Sequence, residues 1–408
     1  MRILVVSNTP FLPPAAGNRA RIAAMLEHLT GAGHTIGLLL LPAVDVAEWD
    51  VDAMRARLAW VEVAAPPPEG PVGHLRERLR RLLARGVARP GEPLGIDDWC
   101  PSWFRAVVQD RVHRWTPDVV IVEYVFLSAC LDGLASVHPF RTVIDTHDVM
   151  HRRRAVYGAV GLAPQWFDTT AAEERRGLLR ADLVLAITED DAVALGALVP
   201  ERRILTVPHA PAIRPMPLDR TRPRQLLLVA SYNDLHVEGF GWFVREVWPR
   251  LRAADPTVEL VVCGTIAEKL GALPEGVVAR GFVADLDGEY AAARVIVCPI
   301  LAGTGLAVKA VDALCHGRPV VTTPVGATGL ATGETAGVLV ADGGEAFANA
   351  VLDLLDDPAR WERAAEAARV QATRRFAPAI VFAPLLDALT NRDGTDRGQS
   401  STPSRTET

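Results

Sequence analysis

Nowhere in its 408 residues does the chain run through the roughly 18 uninterrupted apolar residues that a membrane-crossing helix needs, so no transmembrane span is expected. Its five cysteines, Cys100, Cys130, Cys263, Cys298 and Cys315, form no CxxC pair and have no histidine at metal-ligand spacing. They read as reduced thiols of a cytosolic protein, with no metal site evident. After the first short apolar run, Pro10, Pro13 and Pro14 arrive too early for a secretory leader, so that run reads as a strand. No GxGxxG follows it, and no acidic residue closes a following strand at the distance a NAD-dependent oxidoreductase requires. No two carboxylates can be picked out that would flank a sugar, which argues against glycoside hydrolysis. The formal net charge of −6 gives no overall pull toward nucleic acid, and no nucleic-acid partner is expected.

What is present suffices for a two-domain α/β protein. The composition, 49% hydrophobic and 23% charged, supplies apolar side chains for two packed sheets. The length suggests domains of roughly 100–200 residues. Ile3 to Ser7 reads as a strand, and Ile22, Met25, Leu26 and Leu29 recur at helical spacing before Gly31 and Gly33. Thr35 to Leu41 completes a strand–helix–strand unit of the kind that builds parallel sheets. Val119 to Val122, Thr142 to Ile144 and Leu183 to Ile187 continue the series. Prolines and arginines then crowd residues 208–224, which read as a linker. A second series follows, with strands at Leu226 to Ala230, Glu259 to Cys263, Val277 to Arg280, Val295 to Cys298, Pro319 to Thr322 and Val338 to Val340. The expected division is 1–207 and 225–376 for the two domains, 377–390 for a terminal helix, and 391–408 for a disordered tail without apolar residues. Two such sheets place their carboxyl ends across a common cleft.

The segment from Pro299 to Pro319 carries the most chemistry. Gly303, Thr304 and Gly305 lead from a strand end into a helix bearing Lys309 and Asp312. Glycines admit a diphosphate close to the backbone, the first helical N–H groups favour the anion, and Lys309 adds a full charge. Asp312, three residues on, shares a face with Lys309 at a reach suited to ribose hydroxyls. The plain alternative is a glycine-rich turn whose helix displays a surface Lys–Asp pair.

In its context this segment resembles the donor-site signature of glycosyltransferase family 4. The same order of blocks recurs along the chain: the opening strand with its Gly17 loop, Asp145-Thr146-His147-Asp148, Glu173-Glu174-Arg175 through Ala181-Asp182, Ile187-Thr188, Gly281-Phe282-Val283, and Gly317-Arg318-Pro319-Val320-Val321. The resemblance implies the GT-B fold, two facing Rossmann-like domains, and transfer of a sugar from a nucleotide diphosphate donor with retention of anomeric configuration. It implies no cofactor beyond that co-substrate, and no metal. By the same resemblance Lys309 falls on the donor diphosphate and Asp312, in place of the usual glutamate, on the ribose. Thr304 and Ala307 stand where the family often has acidic and basic residues. Ser231, Tyr232 and Asn233 occupy the loop after the first strand of the second domain, which often carries a basic residue.

Gly17 is expected on the donor side, assisted by Arg19 and Arg21, against the plainer reading of a tight turn into a helix. His147 with Asp148, just past a strand, is expected on the side of the transferred sugar or acceptor, and Glu123 is a positional candidate of the same kind. Glu173, Glu174, Arg175 and Arg176 read as a solvated helix face. His209 reads as a cleft contact or a packed hinge residue. Residues 75–89, with Leu75, Leu79, Leu82 and Leu83 among arginines, read either as an ordinary surface helix or as one lying on an anionic membrane beside a lipid-linked acceptor. The acceptor itself is left open between lipid-linked and small-molecule classes. A nucleotide-sugar epimerase of the same fold and a non-catalytic sugar-nucleotide-binding partner are the alternatives.

Overall fold

Short runs of branched aliphatic residues form two all-parallel sheets in a computed structural model, which describes residues 1–42, 49–66, 93–134, 139–217 and 224–391. The first sheet contains β1 (Arg2–Ser7), β2 (Thr35–Leu40), β3 (Trp60–Val63), β4 (Val119–Glu123), β5 (Arg141–Asp145), β6 (Leu183–Ala186) and β7 (Arg203–Thr206), in the order β3-β2-β1-β4-β5-β6-β7. The second contains β8 (Gln225–Val229), β9 (Glu259–Cys263), β10 (Val277–Gly281), β11 (Val295–Cys298), β12 (Val320–Thr322) and β13 (Val338–Val340), in the order β10-β9-β8-β11-β12-β13. This is the GT-B arrangement of two Rossmann-like halves. Strand order reverses between β1 and β4, and again between β8 and β11, which opens a crevice at the carboxyl ends of those strands.

Each sheet is covered on both faces, as parallel sheets must be. Leu4, Val6, Val120, Val122 and Ile144 pack on one side of the first sheet with Phe104 and Phe126, while Ile3, Val5, Ile121 and Val143 pack on the other with Ile22, Leu26 and Leu29. The end of the chain returns to this second face: Phe382, Leu385, Ala388 and Leu389 join the same core. The single terminal helix expected over 377–390 is two, Pro378–Val381 and Ala383–Thr390. The linker expectation for 208–224 holds no strand or helix over 208–217; residues 218–223 lie outside the described set. So do the basic stretch 75–89 and the tail after Asn391. Among the described residues no helix is long and apolar enough to cross a membrane.

The first helix of the second domain begins at Asp234 and widens into a π-turn over Phe243–Val247. Pro249 follows, and its missing N–H breaks the regular i to i−4 ladder at this point. Gly239 lets this helix touch the end of the strand beside it: a Cβ there would stand 2.1 Å from the Pro299 carbonyl oxygen. Gly239→Ala is expected to destabilise the protein by about 3 kcal/mol, the upper range for overpacking against backbone. Urea unfolding followed by far-UV circular dichroism measures it, and an unchanged midpoint would show that the helix can shift away.

Candidate active site

A cavity of about 830 Å³ lies between the carboxyl ends of the two sheets. Gly17, His147, Asp148, Ser231, Gly303, Thr304, Gly305 and Lys309 line it; Glu123 and Asp312 do not. The loops that end β1, β5, β8 and β11 supply these residues, so the topology places them together although they are spread over nearly three hundred positions.

Two helix amino ends meet here. The helix Gly17–Gly31 starts after Ala16, and the helix Val308–Cys315 starts after Ala307, neither with a side-chain cap. A Cβ on Gly17 would lie 3.3 Å from that of Val308, so the two helix starts touch at the cavity wall; in the first of them the Arg19 N–H is already taken by Asn18 Oδ1 at 2.9 Å. Orphan N–H groups and aligned dipoles at both ends favour an anion between them. A third helix, Asp234–Trp242, also begins at the cavity but is capped twice. Asn233 accepts from the His236 N–H, and Gln165 of the first domain accepts from the Asp234 N–H at 2.9 Å. Gly305 sits at φ +73, and a Cβ there would lie 3.2 Å from the His147 carbonyl oxygen. Any other residue would meet both backbone strain and the opposite domain.

Lys309 Nζ donates to Asp312 Oδ2 at 3.1 Å, and Asp312 Oδ1 is 2.9 Å from His209 Nε2. Burial raises the Asp312 carboxyl, but the Lys309 charge and the His209 hydrogen bond outweigh it and hold the group well below the usual carboxylate range. Both Asp312 oxygens are bonded to protein in this structure, and the residue lies behind the cavity wall. His209 is buried in the linker and reaches Asp312 without lining the cavity. Because the folded value of Asp312 is depressed, its stabilisation is present above the ordinary value of 3.8 and is lost as pH falls below it. Asp312→Asn is thus expected to cost about 2 kcal/mol at neutral pH and to flatten the acid limb of the stability curve. Denaturant midpoints from pH 7 to pH 3 test this, and parallel curves would refute it.

His147 adopts φ +58, a left-handed conformation uncommon outside glycine, and Tyr124 after β4 does the same at +69. The rings stack, centroids 4.2 Å apart. His147 Nε2 lies 2.6 Å from Glu123 Oε2, while its Nδ1 has no hydrogen bond to the described protein atoms and the ring borders the cavity. Glu123, expected at the cleft, is fully buried and meets the cavity wall only through its contact with His147. Burial pushes its carboxyl up, opposed by the His147 hydrogen bond and reinforced by the nearby Asp145 charge. One oxygen, Oε1, is enclosed without a partner. Ligand atoms of Glu123, Asp145 and His147 lie within 4.8 Å of one another, a grouping that could hold a cation. Arg21, however, donates to both Asp145 oxygens, at 3.0 and 2.7 Å, so a guanidinium already sits on that carboxylate. Arg21 is accordingly spent on Asp145 and on the Val207 carbonyl at 2.6 Å, not held out for phosphate.

Some expectations for the charged helix also change. Arg175 and Arg176 do lie on an accessible face, paired with Glu201 and Glu173. Glu174 is fully buried instead: it accepts from the backbone N–H groups of Met150 at 2.9 Å and His151 at 2.8 Å, and from the His151 ring. It fixes the loop that follows His147. Four cleft residues carry no motif that marks them, namely Tyr124, Arg153, Gln165 and His236. Arg153 pairs with Asp148 at 3.1 Å. His236 Nδ1 lies 2.6 Å from the Ser231 carbonyl, and burial, aided by the Lys309 charge, lowers its basicity, which leaves Nε2 an acceptor. The sequence offers only an arginine run for Arg153 and nothing for the others.

A family model described as Glycosyl transferases group 1 matches residues 223–357, most of the second domain. Sucrose-phosphate synthase from Thermosynechococcus elongatus superposes with a TM-score of 0.67 at 16% identity, covering 95% of this chain and 98% of that one. HepE from Anabaena in complex with UDP and glucose gives 0.66 at 15%, covering 96% and 100%. TarM from S. aureus, in complex with UDP among other ligands, gives 0.68 at 8%, covering 96% and 100%. At these identities the likeness establishes the GT-B fold. No curated protein matches the sequence. The chain thus joins a second domain similar to glycosyl transferases group 1 to a first domain that completes a GT-B scaffold around the cleft.

Proposed function

We propose that the protein is a retaining family 4 enzyme that transfers a sugar from a nucleoside diphosphate donor to an acceptor hydroxyl, with no metal. The observation that carries this reading is the pair of uncapped helix ends at Gly17 and Val308, flanked by Gly303, Gly305 and Lys309 on one cavity wall. Neighbours of the same fold hold UDP, which is consistent with a diphosphate at this position. In the proposed step the bond from the sugar's C1 to the diphosphate oxygen breaks, its electron pair leaving with the phosphate. The acceptor oxygen bonds to C1 on the same face and its proton passes to the departing diphosphate. Lys309 and the helix ends stabilise the charge that develops there, and His147 holds a hydroxyl of the sugar or acceptor. Contact between Gly305 and the His147 loop closes the cleft against water.

A thermal-shift screen against nucleotide sugars and their free diphosphates tests this. At a concentration of about 100 times Kd, a ligand binding only the folded chain adds about 2.7 kcal/mol, an upward shift of several degrees. Absence of any shift with every nucleotide would overturn the donor assignment. Conversion of donor without acceptor into an epimer would assign the cleft to isomerisation instead.

A further inference from the structure

Where the chain passes from one domain to the other, a buried side chain bridges them behind the cavity wall. Val207 and Ala210 belong to the core of the first domain. The backbone of Val207 is held there as well: its N–H donates to the Ala186 carbonyl at 2.8 Å, and its carbonyl accepts from Arg21 at 2.6 Å. A few residues later the chain runs along the second domain, where the Arg214 N–H donates to the Cys315 carbonyl at 2.9 Å and the Met216 N–H to the His316 carbonyl at 3.0 Å. His209 lies between Val207 and Ala210, so its backbone is anchored with the first domain, while its ring reaches Asp312 in the second.

His209 is 1% exposed and its Nδ1 is enclosed without a partner, so among the described residues the 2.9 Å contact from Nε2 to Asp312 Oδ1 is its only hydrogen bond. An imidazole with one nitrogen unpaired in the interior is harder to bury than an aliphatic side chain of similar size, so packing alone gives no reason for it. The reason lies one bond further on. Asp312 Oδ2 accepts from Lys309 Nζ at 3.1 Å, and Lys309 lines the cavity, whereas Asp312 and His209 do not. An ammonium has three N–H donors, so one held by Asp312 leaves two for a phosphate. A lysine stem that is already held also loses less rotamer freedom when a ligand arrives, which favours binding.

Resting on the glycosyl-transfer reading above, we propose that His209 is a positioning residue of the donor site: anchored with the first domain, it holds Asp312, which holds Lys309 where the donor diphosphate binds. It touches neither donor nor acceptor. Its effect depends on how the two domains sit, because the contact joins a group from each, and a further separation of about 1 Å takes it beyond hydrogen-bond reach. Lys309 is therefore held ready only in this arrangement of the domains, and the linker ties donor binding to closure of the cleft.

Calorimetry with UDP, GDP and ADP first identifies the diphosphate that the parent chain binds best. For that nucleotide His209→Leu is expected to raise Kd about tenfold, the weight of one hydrogen bond to a charged group. His209→Asn, whose amide is too short to reach Asp312, should weaken binding as much. His209→Gln, whose terminal N–H groups fall near the place of Nε2, should return Kd to within about threefold of the parent value. Placed on Lys309→Ala, the leucine change should weaken binding by no more than about threefold, because the group it positions is gone. Unchanged Kd in both His209→Leu and His209→Asn would overturn the proposal and leave the donor site standing. Equal weakening by leucine, asparagine and glutamine, with urea midpoints falling in step, would show that His209 serves the fold alone. Losses that add in full on Lys309→Ala would show that it does not act through Lys309, which equally sinks the idea. If none of the three diphosphates binds the parent chain, the glycosyl-transfer reading itself falls and takes this proposal with it.

Discussion

Replacing Lys309 by alanine is expected to weaken nucleoside diphosphate binding by two to three orders of magnitude. Three contributions set that size. A charge-assisted phosphate contact is worth about 1.5–3 kcal/mol. The helix end supplies less, about 0.3–1 kcal/mol at an exposed terminus and up to 2 where partly buried, so it cannot make up the loss. The third contribution comes from Asp312. In the present structure its carboxylate accepts from Lys309 at 3.1 Å, and without the lysine its charge lies behind the cavity wall with only His209 to offset it. The variant thus loses an attraction and uncovers a repulsion. Calorimetry with UDP separates the two: Lys309→Ala combined with Asp312→Asn should recover part of the affinity that the single change removes. If UDP binds the single variant as tightly as the parent chain, the diphosphate does not sit at this helix end. If the double variant is no better than the single, the repulsive part of the argument fails while the attractive part stands.

How far the sequence foretold this site depends on whether its contacts are local. Lys309 and Asp312 meet because residues three apart on a helix share a face, which spacing alone reveals. The glycines at 303 and 305 likewise mark a loop before that helix. Nothing local shows that Asp312 is held by His209, 103 positions earlier, or that Gly305 abuts the His147 carbonyl. Those contacts exist only once the two sheets face each other. Glu123 illustrates a different limit. In a strand with one wet face, alternation shows which side chains point to water, but β4 is buried throughout, so its sequence cannot say whether Glu123 points to the cleft or behind it. The strands β3 and β7 were too short and too mixed in polarity to stand out, while the long aliphatic runs of β1, β4, β8 and β9 were plain. The ring cluster beside the cavity is hidden for the same reason as the His209 contact: its rings come from positions 99, 124, 126 and 167, and no periodicity links them.

Glu123→Gln should move activity and stability in opposite directions. Glu123 Oε2 lies 2.6 Å from His147 Nε2, a buried pairing that fixes which ring nitrogen faces the cleft. Loss of a charge-assisted hydrogen bond of this kind is worth about 1.5–3 kcal/mol, so kcat at neutral pH should fall about ten- to a hundredfold if His147 must keep one orientation and protonation state. The stability effect has the other sign. Burial raises the Glu123 carboxyl above its ordinary value of 4.5, so its favourable contribution is full below that value and is lost as pH rises through the raised one. The neutral amide carries no such cost. Glu123→Gln should therefore match the parent chain in acid and exceed it in stability near neutral pH, while being the poorer enzyme. A structural role alone would predict lower stability with an unaltered pH–rate profile. Measuring kcat and the denaturant midpoint from pH 5 to pH 8 distinguishes the cases, because only a positioning carboxylate makes the variant slower, firmer and flatter in its pH response at once.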